Sequence, residues 1–190
     1  MTKKSDILDG AQILFSQFGL KRVTTDDIAR EARVSKATIY RHFQNKTDIF
    51  GEVVDIEADQ LLSAIREAVD QESTCVGKLK AHLLTKMSKI QELLNFYKVT
   101  QDTSDNFWPF IAEARDRSIT AEKEIVREII EYGNRTGELN VENPGLVSSM
   151  MVVSLKSQEL DWATEGHDDI SLEDYVDMML GVMMHGIAAR

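Results

Sequence analysis

Thr24-Thr25-Asp26-Asp27-Ile28-Ala29-Arg30-Glu31-Ala32-Arg33-Val34-Ser35-Lys36-Ala37-Thr38-Ile39-Tyr40-Arg41-His42-Phe43 is the stretch on which the fold turns. Thr24 with Asp27 three residues on has the form of a capping box, in which a hydroxyl and a carboxylate satisfy the free N–H groups of a helix start. The helix it opens is short and ends near Ala32. Ser35 is a fresh N-cap after only Arg33 and Val34. A second short helix then runs from Lys36 to about Phe43. Ile39 and Phe43, four residues apart, share the inward face. Lys36, Thr38, Tyr40, Arg41 and His42 occupy the remaining arc. Two short helices joined by a tight turn form a helix-turn-helix, whose second helix enters the DNA major groove. Lys, Arg, Thr and Tyr supply donors for phosphates and base edges.

Outward from this stretch the pattern stays helical. Ile7, Ala11, Leu14 and Phe18, broadened by Leu8 and Phe15, give a first helix over about Lys3–Phe18, stopped by Gly19. Asn45 with Asp48 caps a long fourth helix to about Asp70. Leu79, Leu83, Met87, Ile90, Leu94 and Tyr97 form the stripe of a fifth. Pro109 opens a sixth, from Phe110 to about Arg117. A seventh carries Val126, Ile129, Ile130 and Gly133 and ends near Gly137. Asn143-Pro144 opens the eighth, and Ser171 to Asp174 the ninth. The expectation is an all-α chain of about nine helices, with no persistent strand alternation.

Charge divides the 190 residues unevenly. Residues 1–50 hold nine Lys/Arg against six Asp/Glu, while the whole chain is at −10. Between Lys21 and Lys46 the balance is +4. A basic quarter on an acidic body implies a local anion-binding module, with the body repelling nucleic acid. The single cysteine, Cys75, excludes an internal disulfide framework and a Cys-cluster zinc site and points to a reducing, cytoplasmic setting. No charge-free apolar run reaches the ~18–20 residues of a membrane span, and residues 1–6 lead into an amphipathic segment unlike a signal peptide.

Thr24-Thr25-x-x-Ile28-Ala29-x-x-Ala32, Val34-Ser35-x-Ala37-Thr38-Ile39-Tyr40-x-His42-Phe43 and Asn45-Lys46-x-Asp48-Ile49-Phe50 resemble the DNA-binding domain of TetR/AcrR-family transcriptional regulators. Ala11-x-x-Leu14-Phe15-x-x-Phe18-Gly19 fits that family's first helix. The resemblance implies a DNA-binding head over residues 1–47 and a ligand-binding and dimerisation domain over 48–190. It implies phosphate contacts by Thr25, Tyr40, His42 and Lys46. Lys36, Ala37 and Thr38 would face the groove, Ala37 against a thymine methyl, and Arg41 would meet a base or a phosphate. Where the family has Gly, this chain has Arg33. A left-handed backbone there costs a non-glycine residue about 1–2 kcal/mol, and the side chain adds a cation near the DNA.

The resemblance also implies a homodimer, a palindromic double-stranded operator and a repressor released by a small hydrophobic or amphipathic effector. The apolar girth around Met87 and Tyr97 and the aromatics of Phe107-Trp108-Pro109-Phe110 suit an effector pocket lined by Met87, Tyr97, Trp108 and Phe110. Six of the eight methionines lie in the last two helices. The two-sided apolar character there points to a dimer seam with Met150, Met151, Val176, Met179, Met183 and Ile187. No Gly-x-Ser-x-Gly, Walker loop or dinucleotide fingerprint occurs. No metal or other cofactor is expected: His167-Asp168-Asp169 with Glu173 has the form of a polar loop with helix caps, and His82 and His185 that of polar-face or core-edge residues. Cys75 has no thiolate-stabilising neighbour in sequence. Two other classes stay open, a helical interaction protein that has lost DNA binding and a small all-α enzyme.

Overall fold

The computed structural model describes residues 2–90, 108–164 and 169–187, with side chains left out at 90, 108–115, 156–161, 163, 164 and 185–187. Eight helices and no strand occur among the described residues: α1 (Lys3–Arg22), α2 (Thr25–Glu31), α3 (Lys36–His42), α4 (Lys46–Asp70), α5 (Cys75–Ile90), α6 (Trp108–Thr136), α7 (Pro144–Thr164) and α8 (Leu172–Ile187). The expected break between a sixth and a seventh helix is absent. The stretch Trp108–Thr136 is one helix, with Pro109 in its first turn, where its missing N–H costs nothing. No described helix is long and apolar enough to cross a membrane.

The described residues form two compact units. One takes residues 2–59 with 108–116, the other 60–90, 117–164 and 169–187, and α4 and α6 contribute to both. In the first unit α1, α2 and α3 pack on one another around Ile7, Ala11, Phe15, Ile28, Ile39, Phe43 and Phe50. Phe15 stands edge-on to Phe50, with centroids 5.1 Å apart and planes at 83°. The buried stripe of α1 is Ile7, Leu8, Ala11 and Phe15, so Phe18, expected inside, is 53% exposed. Gly19, at φ 74 and ψ 158, breaks α1 at the expected stop, and one further turn follows it.

Caps fix the helix boundaries. Thr24 and Asp27 make the full reciprocal box, and Ser35 accepts from the Thr38 amide at 3.1 Å. Asn45 and Asp48 exchange side chain-to-backbone bonds. Between α2 and α3, Val34 N–H donates to Ala29 O at 2.9 Å and Arg33 N–H to Arg30 O at 3.2 Å. These bonds form a Schellman motif, with Arg33 at the left-handed C′ position. Its φ is 53, the one positive φ outside glycine among the described residues.

In the second unit α5 packs on α8 and α7. Lys80 of α5 reaches Glu173 and Asp177 of α8 at 2.9 Å, and Trp162 of α7 lies 5.0 Å from Tyr175 of α8, ring to ring. Gly133 of α6 permits a close approach, since a Cβ there would fall 2.7 Å from Cys75 Sγ. The strained turn has a measurable consequence. Arg33→Gly removes the left-handed penalty of ~1–2 kcal/mol against a backbone-entropy cost of ~0.5–1 kcal/mol. The expected outcome is a gain of about 0.5–1 kcal/mol, read from chemical denaturation of the full chain; a loss of stability would show the turn to be relaxed.

Candidate DNA-recognition interface

Ile39 and Phe43 are buried and seat α3 on the head core. The helix therefore presents Lys36, Ala37, Tyr40, Arg41 and His42 to solvent, all exposed. Tyr40 is 51% exposed, and its hydroxyl lies 3.5 Å from Thr25 Oγ1 at the start of α2. That places the two expected phosphate contacts side by side. Lys36 Nζ meets Asp26 Oδ2 at 2.9 Å, a hydrogen bond that raises the Lys36 pKa and holds the ammonium charged. The pair is solvent-exposed and weak, so a phosphate can take the lysine from it.

Two expected DNA contacts have other partners. Thr38 is only 5% exposed. Its hydroxyl lies 2.8 Å from Ser35 Oγ and accepts from Arg41 Nη2 at 3.2 Å. In this geometry Thr38 orients the guanidinium of the exposed Arg41. Lys46 Nζ donates to Leu20 O and Val23 O, both at 2.6 Å. It closes the carbonyl end of α1, and desolvation lowers its pKa. An i+3 or i+4 pattern within α4 carries no trace of the Lys46 bonds, because Lys46 finds its acceptors more than twenty positions upstream.

Residues 7–53 match the model of the bacterial regulatory proteins, tetR family. That stretch, the head of the chain, is of the tetR type. The chain is similar to the nucleoid occlusion factor SlmA of Sodalis glossinidius, 35% identical over 83 residues. That match covers 43% of this chain and 42% of the factor, so it spans about two fifths of the factor's length. The uncharacterized HTH-type transcriptional regulator YhgD of Bacillus subtilis is 23% identical over 99% of this chain and 98% of its own. The solved FadR regulator of Bacillus subtilis in complex with stearoyl-CoA shares the fold, with a TM-score of 0.75 and 21% identity over 96% of this chain and 98% of that one.

Outside the TetR head, the residues expected to line a pocket divide. Met87 is fully buried, Tyr97 lies outside the described residues, and Trp108 and Phe110 are placed on α6 by backbone alone. Of the expected seam, Met151 and Val176 are buried in their own unit, Met179 and Met183 are half-buried, and the Ile187 side chain is outside the described residues. On these last two helices the exposed large apolar residues, among those described, are Leu146, Met150 and Val153 on α7 and Met178 and Val182 on α8, with Val182 80% exposed. His167 and Asp168 are outside the described residues, which contain no metal-competent cluster. Burial, with Glu138 adding to it, pushes the Cys75 thiol up to about 11, which suits an inert core residue.

One polar cluster was not legible as such. His82 is not at a core edge: it is buried, with Lys86, against Glu122 of α6. Lys86 Nζ donates to both Glu122 oxygens at 2.7 and 2.8 Å, and His82 Nε2 lies 3.0 Å from Oε1. Burial by itself raises the Glu122 carboxyl, but the His82 hydrogen bond and the Lys86 charge outweigh it and hold the group well below 4.5. A depressed carboxylate stabilises the fold fully above its unfolded pKa, and that contribution is lost as pH falls. Glu122→Gln should therefore lower stability near pH 7 yet flatten the decline of the thermal midpoint below about pH 5, as followed by circular dichroism across pH 2–7. An unchanged acid profile would mean that the ion pair is not formed in solution.

Proposed function

We propose that the protein is a dimeric, sequence-specific transcriptional regulator of the cytoplasm. It acts as a repressor on a palindromic operator, and a small hydrophobic or amphipathic effector releases it. The observation that carries the DNA reading is the exposed row Lys36, Ala37, Tyr40 and Arg41 on a helix anchored from behind by Ile39 and Phe43. Such a row offers cations and hydroxyls to phosphates and base edges together. Arg41, oriented by Thr38, has the fork that reads guanine O6 and N7, and Ala37 is small enough to meet a thymine methyl. Arg33 and His42 are exposed at the two ends of the row.

The effector half of the reading draws support from the FadR likeness, since that protein is solved with stearoyl-CoA. It draws support also from Met87 buried in α5. An effector that binds the DNA-free state more tightly must be bound more weakly in the presence of operator, by the same factor. The homodimer reading is supported by Leu146, Met150 and Val153 on α7 and Met178 and Val182 on α8. These form exposed apolar rows at helical spacing, a pattern that marks an interaction surface. A two-fold dimer would set its recognition helices about one DNA turn, or a multiple of it, apart.

Selection from random duplexes followed by gel shift tests the main reading. A palindromic site should emerge; failure to enrich any duplex would point instead to an interaction protein that has lost DNA binding. On the selected site Lys36→Ala should weaken binding to all sequences and reduce the slope of log K against log salt by about one. Arg41→Ala should cost about 1–3 kcal/mol and relax preference at one base pair per half-site. Equal affinity and preference in both variants would remove α3 from the interface. Charge at the seam, as in Met178→Glu with Val182→Glu, should give a monomer in sedimentation, whereas a monomeric parent protein would discard the dimer.

A further inference from the structure

Inside the second unit the structure has spent three ionisable side chains where apolar ones would pack. His82 and Lys86 stand one turn apart on α5, on the face that buries Leu79, Leu83 and Met87. Glu122 stands on the face of α6 that buries Ile125 and Ile129, with the Ser118 hydroxyl buried one turn before it. Side-chain exposure is 3% for His82, 6% for Lys86 and 7% for Glu122. A buried ion pair gains little over a hydrophobic replacement of the same size, so stability does not account for the group. The geometry is that of a carboxylate site. Two nitrogen donors on one helix converge on a single carboxylate, with Oε1 accepting from both and Oε2 from Lys86.

We propose that His82 and Lys86 form the headgroup site for an effector carrying one carboxylate at the end of an apolar chain, and that Glu122 fills that site in its absence. The inference rests on the effector reading above and names its ligand class. A carboxylate is the group that this pair of donors already holds, at charge-assisted distances. An apolar chain suits the buried aliphatic faces of α5 and α6. A cationic headgroup fits less well, because the Lys86 ammonium already stands 2.7 Å from the Glu122 carboxylate. Exchange of one carboxylate for the other frees Glu122 of α6 from α5. Binding would therefore alter the register of two helices, which is the differential contact that an effector needs.

Calorimetric titration with dodecanoate tests this, with dodecanol, dodecyltrimethylammonium and dodecanoyl-CoA as the neutral, cationic and thioester arms. The unaltered protein should bind dodecanoate at least about tenfold tighter than the other three, a difference of about 1.4 kcal/mol. Glu122→Gln, which removes the internal competitor, should tighten dodecanoate binding by about tenfold. Lys86→Met with Glu122→Gln keeps the shape of the cluster without an unpaired buried charge, and it should erase the preference for dodecanoate. The proposal is overturned if dodecanol or the ammonium binds as tightly as dodecanoate. It is overturned equally if the double variant keeps the preference, if the CoA thioester is preferred, or if nothing binds. Operator binding by the unaltered protein is scored separately by gel shift. Its failure beside a retained carboxylate preference would sink the regulator reading alone, and a lost preference beside intact operator binding would sink this one alone.

Discussion

The edge-on contact of Phe15 with Phe50 ties the first helix to the fourth across the head, and the recognition surface depends on it. Both rings are almost completely buried, with Ile7, Ile28, Ile39 and Ile49 among the largest fully buried side chains. Aromatic pairs of this geometry add to the burial of their area. With α1 and α4 held, α2 and α3 have a fixed floor, and a helix of only seven residues can keep its orientation. An isolated helix of that length is not stable in water. The rigidity of α3 is thus borrowed from Ile39 and Phe43, and its solvent face is free to carry cations and hydroxyls with no packing role.

The ends of the short helices are set by backbone chemistry more than by burial. Each lacks the length to tolerate frayed turns, so nearly every free N–H at its start needs a partner. Thr24 with Asp27 and Ser35 supply those partners, and Asn45 with Asp48 does the same for the long α4. At the turn the Schellman bonds demand a left-handed residue, and this chain supplies Arg33. The strain sits beside α3, the helix proposed to face DNA, where a positive charge would be useful. A local structural rule is thus broken at a site where function gives a return.

The two units use buried polarity differently. In the head, Lys46 is drawn inward to close the carbonyls of Leu20 and Val23, and it serves the architecture. In the second unit His82 and Lys86 are both drawn inward to Glu122. One lysine closes a helix end and the other pairs with a buried carboxylate, although both appear in the sequence as a lone cation beside apolar neighbours.

Periods of three and four residues, capping pairs and the Lys21–Lys46 charge balance were enough to determine the helical class, the helix-turn-helix and the outward row on α3. Each of these is a local property, decided within one or two turns of chain. The same logic failed where a decision crossed helices. Phe18 continues the stripe of α1 in sequence, but Phe15 meets Phe50 and turns Phe18 outward. Lys46, expected at a phosphate, donates to the carbonyls of Leu20 and Val23, which no pattern within its own helix foretells. Of the expected seam residues, Met151 and Val176 turn into their own core, while Met150 stays exposed, as does Met178. His82, Lys86 and Glu122 are separated by up to forty positions, so only the packing of α5 on α6 makes them one cluster. Periodicity specifies which residues share a face; the competition among faces for a common interior decides which face is buried.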